Sequence, residues 1–157
     1  MSTPVRLEIQ YNHPHLSRQD FRNLYKPAIG NPLFALRHNW VANLDYALRE
    51  IVKNFYDHAN KKGIIIVVVS EHEVTFEAYD FGPGYQGGSK EKDFCEIVTY
   101  HKKHGSSLKA VSKENLGMGI NTIEACFKGL QQGNWVTSVD YEVQTYPNFK
   151  YKGTIRF

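Results

Sequence analysis

The sequence predicts a two-layer α/β (α+β) sandwich: one mixed, mostly antiparallel sheet with helices on one face. Three observations predict it. Short runs with apolar residues at alternate positions stand near both ends and in the middle of the chain. Two longer stretches repeat apolar residues at helical spacing. The resulting order is a strand, helices, a hairpin, a helix and a second hairpin, which one sheet with its helices on one side accommodates.

Val5, Leu7 and Ile9 alternate with polar neighbours and predict the first strand. Ser17 is placed to cap a short helix reaching Tyr25, before Lys26-Pro27. The stretch from Pro27 to Pro32 reads as a turn. A long helix is expected from Leu33 to Asn60. Leu44, Ala47, Leu48, Ile51, Val52, Phe55 and Ala59 form its stripe, and Gly63 ends it. Ile64 to Ser70 and Glu73 to Asp80 read as a hairpin turning at Glu71-His72. Lys92 to Tyr100 has the pattern of a short helix, whereas His101 to Asn115 is polar and basic. Leu116, Ile120, Ile123, Phe127 and Leu130 share a face of the next helix, which stops at Gly129 or Gly133. Trp135 to Thr145 and Tyr151 to Phe157 are closing strands around a Pro147-Asn148 turn.

With 157 residues, 41% apolar and 22% charged, the chain suits one globular domain, 1–157. Its longest aliphatic run, Ile64 to Val69, is far short of the about 20 residues a membrane helix needs. No signal peptide pattern stands at the start. A formal charge of +3, from 19 basic and 16 acidic residues, is too small and dispersed for a nucleic-acid footprint. The local excess at Lys102, Lys103, His104 and Lys109 falls in a loop. Cys95 and Cys126 form neither a paired ligand set nor a disulfide framework, so reduced thiols in a cytoplasmic protein are expected.

Three constellations carry chemistry. Glu50, Asn54 and Asp57 are spaced to share one helix face at the edge of the apolar stripe. An amide oxygen there can hold hydrated Mg²⁺, and a carboxylate can act as a base. Alone, the trio fits the polar edge of a surface helix better than a site. Asp80-Phe81-Gly82-Pro83-Gly84 follows a strand whose alternation puts Val74, Phe76, Ala78 and Asp80 on one side. A carboxylate at a core edge needs a donor, such as the amino group of adenine, and Gly82 and Gly84 admit a flat ligand. A plain turn explains the same residues equally well. Asn115-Leu116-Gly117-Met118-Gly119-Ile120-Asn121 opens a helix with exposed backbone N–H groups, a phosphate-binding arrangement. It is not a dinucleotide fingerprint, nor is Gly82 to Lys90 a Walker A loop, and a lone pair of glycines is also an ordinary hinge.

In order and spacing, E-I-V-K-N-F-Y-D, D-F-G-P-G, N-L-G-M-G-I-N and a terminal G-T-I-R-F resemble the GHKL ATPase superfamily. That superfamily includes gyrase, mismatch-repair MutL proteins, heat-shock chaperones, histidine kinases and anti-sigma-factor serine kinases. The resemblance spans about residues 40 to 157 and implies the Bergerat ATP-binding fold, with ATP and Mg²⁺ as ligands. It implies that Glu50 is the general base and Asn54 the Mg²⁺ ligand. Asp57 and His58 would lie along the nucleotide, Asp80 would read adenine, and Gly82 and Gly84 would pack near the base. Gly117, Met118 and Gly119 would contact phosphates. Thr154 would support adenine through water beside Asp80, and residues 85–115 would form an ATP lid.

Asp57 is more like the gyrase, chaperone and MutL group, and His58 more like the kinases. In size the chain is most like the anti-sigma kinases. The expected function is ATP hydrolysis, or transfer of the γ-phosphate to a protein serine or threonine. The alternative is a non-catalytic ATP-responsive module that recruits a partner through its lid. A regulatory protein partner and a possible homodimer follow from the resemblance; a nucleic-acid or membrane partner does not.

Overall fold

The computed structural model describes residues 4–12, 17–58, 62–82, 96–97, 99, 119–132, 136–145 and 148–157. The chain forms β1 (Val5–Asn12), α1 (Arg18–Tyr25), a π-helical turn (Lys26–Gly30), α2 (Asn31–Phe34) and α3 (Val41–His58). The hairpin β2 (Lys62–Val69) and β3 (Glu73–Asp80) follows, then α4 (Gly119–Gln131), β4 (Ser138–Gln144) and β5 (Lys150–Arg156). One five-stranded sheet has the order β1-β2-β3-β5-β4. All four pairings are antiparallel, so the sheet expected to be mixed is antiparallel throughout among the described residues.

Local chemistry explains where the elements start. Ser17 Oγ accepts the Asp20 N–H at 3.1 Å, and Asp20 Oδ2 accepts the Ser17 N–H at 3.4 Å. This reciprocal cap satisfies two orphan donors at the start of α1. Pro27 to Pro32 is helical, not a turn: each proline falls in the first turn of its segment, where its missing N–H leaves no bond unmade. The expected helix from Leu33 to Asn60 is two helices. Arg37, with φ of 56°, takes the left-handed conformation that ends helices, and α3 starts afresh at Val41.

Between β2 and β3 the Ser70 N–H donates to the Glu73 carbonyl at 2.8 Å, closing the turn at Glu71-His72. Helix α4 runs past Gly129. There the Asn43 side chain of α3 stands 3.1 Å from where a Cβ would lie, so the glycine admits close packing of the two helices.

Alternation along β3 and β5 sorts the two faces of the sheet. Ile65, Val67, Val74, Phe76, Ala78, Tyr151 and Ile155 are buried in one core with Leu44, Leu48, Ile51, Ile123 and Phe127 of the helices. Phe76 and Phe127 stack at 5.6 Å between ring centroids, and Phe127 meets Tyr141 at 4.6 Å. Ile97 is a helical residue of the segment expected to be a lid, and it is fully buried in the same core. The rest of 85–115, except Glu96 and Thr99, lies outside the described residues.

In the first half of α3, the Arg49 guanidinium lies 5.6 Å from the Tyr25 ring centroid and pairs with Asp45 at 2.9 Å. This ties α1 to α3. Among the described residues no helix is long and apolar enough to cross a membrane.

Candidate functional site

The site lies on the helix-covered face of the sheet, where β3 ends. Asp80 is the last residue of β3 and, by alternation from Val74, points into the core; it is 4% exposed. Its backbone is pinned on the β5 side. The Asp80 N–H donates to the Phe149 carbonyl at 3.1 Å, and Asn148 Nδ2 donates to the Asp80 carbonyl at 2.8 Å. Its carboxylate accepts the Gly82 N–H at 3.1 Å. Burial pushes the carboxyl up to about 6, against the pull of the Gly82 and Phe149 N–H groups. A buried carboxylate with such limited compensation favours a ligand that brings a hydrogen-bond donor.

Helix α3 supplies the next two groups. Glu50 is buried beside α4, where its charge adds to burial in raising the Cys126 thiol pKa. Asn54, one turn further on, is half-buried. It is near enough to Tyr151 of β5 to act on the acidity of that hydroxyl. Burial raises the Tyr151 pKa, the Asn54 amide opposes the rise, and the Asp80 carboxylate adds to it. Asn54 and Asp80, predicted from separate motifs, thus both act on the acidity of one tyrosine.

Tyr151 carried no role in the sequence reading, although a signal for it was present. Lys150, Lys152, Thr154 and Arg156 alternate with Tyr151, Gly153 and Ile155, which places the tyrosine on the apolar side. The register agrees: Tyr151 pairs with Ala78, leaving Asp80 as its diagonal neighbour on the same face.

The same register corrects the placement of Thr154 beside Asp80. Thr154 pairs with Thr75, five positions before Asp80 and roughly 17 Å away along the strand. It also shares the opposite face with Lys150 and Lys152, so it cannot support a base lying against Asp80. Gly153 of the same motif has a packing role: the Phe76 ring lies over it.

Gly82 stands two residues past the end of β3, and Gly119 opens α4. Asp57 and His58 close α3, their side chains outside the described set; Gly84, Gly117 and Met118 lie outside the described residues. Among the described residues no group of three or more His, Cys, Asp or Glu side chains is gathered to hold a metal. Asn54 offers one hard amide oxygen, a donor suited to Mg²⁺ that arrives with phosphates and keeps its waters. No family model matches the chain, and a search of curated proteins finds no relative.

Proposed function

We propose that the chain is an ATP·Mg²⁺-binding module of the GHKL type with a Bergerat fold, acting as an ATPase or protein serine/threonine kinase. The observation that carries this reading is the buried Asp80 carboxylate at the end of β3, on the face of the sheet that α3 covers. That carboxylate lies on the same side of the sheet as the helix that carries Glu50 and Asn54. Asp80 accepts the adenine amino group, and the Asn54 oxygen holds the Mg²⁺ carried by the triphosphate. Glu50 takes the proton from the attacking water or protein hydroxyl. The hydroxyl oxygen bonds to the γ-phosphorus as the β–γ bridge oxygen leaves with ADP. In the kinase form a regulatory protein supplies that hydroxyl.

Calorimetry and phosphate release with the full chain test the reading. ATP should bind more tightly with Mg²⁺, and Asn54→Ala should abolish the difference. Glu50→Ala should retain ATP while turnover falls by about 10²–10⁴-fold. Failure of the wild-type chain to bind ATP would sink the reading. Binding without turnover in the wild type would leave the ATP-responsive module instead.

A further inference from the structure

We propose that the outer edge of β1 is an interface at which two copies of the chain pair antiparallel about a two-fold axis at Leu7. This inference is independent of the nucleotide reading, because β1 contributes no residue to the candidate site. β1 stands at one end of the sheet, and among the described residues no strand lies beyond it. It pairs with β2 through eight consecutive residues without a bulge, and Val5–Asn12 contains no proline. A long, unbroken edge of this kind offers a row of backbone N–H and C=O groups to another strand. Val5 adds an exposed apolar side chain to that edge.

Parity and charge choose the partner and the register. When a strand pairs antiparallel with its own copy about an axis normal to the sheet, directly opposed residues point to the same face. They are therefore an even number apart in sequence, and the axis passes through a residue that faces its own copy. An axis at Arg6 sets Arg6 against Arg6, and one at Glu8 sets Glu8 against Glu8. An axis at Leu7 sets Arg6 of each copy against Glu8 of the other. Val5 then faces Ile9 of the second copy on the helix-covered side, the side on which Leu7 pairs with Val67.

Within one strand, Arg6 Nη2 lies 3.2 Å from Glu8 Oε2, with the two side chains 61% and 39% exposed. Two copies joined at Leu7 thus form a square of four charges that alternate in sign, along each strand and across the pair. Opposite charges facing across strands stabilise a sheet, and like charges oppose it. β4, at the other end of the sheet, gives the contrast. Its Asp140 and Glu142 are exposed, and self-pairing with the axis at Asp140, Tyr141 or Glu142 sets carboxylate against carboxylate. One edge repels its copy while the other attracts it, which favours a closed pair over an open filament.

Size-exclusion chromatography with light scattering on the full chain tests the interface. The wild type should have the mass of two chains. Arg6→Glu sets like charge against like, as does Glu8→Arg, and each should raise the dimer dissociation constant about tenfold or more. The double reversal of Arg6→Glu with Glu8→Arg exchanges the signs and should restore the wild-type dimer. An equimolar mixture of the two single variants should also dimerise, because every charge then meets its opposite across the pair. That recovery separates the interface from the ion pair within one strand, which stays broken in the mixture.

A wild type with the mass of one chain overturns the inference. So does a dimer indifferent to Arg6→Glu, or a mixture that stays monomeric. If a reversal does not fold, Arg6→Cys and Glu8→Cys decide. Opposed Cα atoms in an antiparallel pair are about 4.5–5.5 Å apart, within disulfide reach. The mixture should then oxidise to a covalent dimer in higher yield than either variant alone, and equal yields overturn the register.

Discussion

At the scale of single residues, Gly153 and Asp80 show opposite uses of tight packing. A Cβ at Gly153 would lie 2.5 Å from Phe76 Cζ and 3.0 Å from the Asp140 carbonyl oxygen. The glycine lets the Phe76 ring cross over β5 and reach Phe127, so the aromatic stack of the core depends on a missing methyl group. Gly153→Ala should therefore destabilise the fold by about 1–3 kcal/mol, the usual cost of overpacking. Urea unfolding followed by tryptophan fluorescence measures it; a variant as stable as wild type would show that the ring relocates freely. Asp80 is packed as closely but carries a charge. Its cost is electrostatic rather than steric, and a ligand can offset it.

At the scale of elements, alternation and helical spacing were legible and the register was not. The apolar periods of β2, β3, α3 and α4 follow from which residues water rejects, and the structure forms each of these elements. Ser17 as a cap was legible because its chemistry is local. Proline was misleading at Pro27 and Pro32, since it breaks a helix interior but fits a first turn, and the sequence does not mark which turn is first. Register is a property of two strands together. The motif containing Thr154 suggests adenine support, whereas pairing with Thr75 turns that threonine to the other face. A one-residue difference in parity decides the matter. Thr154→Val should accordingly leave ATP affinity unchanged within about twofold, a difference well below the loss of one hydrogen bond to a charged group. A tenfold loss by calorimetry would contradict the face assigned to β5.

At the scale of the whole molecule, the charge at Asp80 links folding, ligand and pH. Its folded pKa of about 6 lies above the ordinary value of 3.8. Between those values the folded chain holds more protons than the unfolded chain. Asp80's contribution to stability is therefore fully present below about pH 4, declines as pH rises toward 6, and stays lost above it. At pH 8 the unliganded protein keeps an ionised carboxylate in its core edge. On the proposed reading, bound adenosine would relieve that cost by donating its amino group to the carboxylate. At pH 5 the carboxyl is mostly neutral, and such a ligand would have to expel a proton to use the site. The rise in unfolding temperature at a fixed, saturating concentration of adenosine should thus be larger at pH 8 than at pH 5. Adenosine is preferable to ATP because a terminal phosphate titrates in the same range. Other groups also titrate over this interval, so Asp80→Asn is the control. It should abolish the pH dependence of the shift while leaving the Gly82 N–H an amide oxygen to meet. A shift equal at both pH values in the wild type, or one that stays pH-dependent in Asp80→Asn, would detach Asp80 from the base and move the adenine site elsewhere on the sheet.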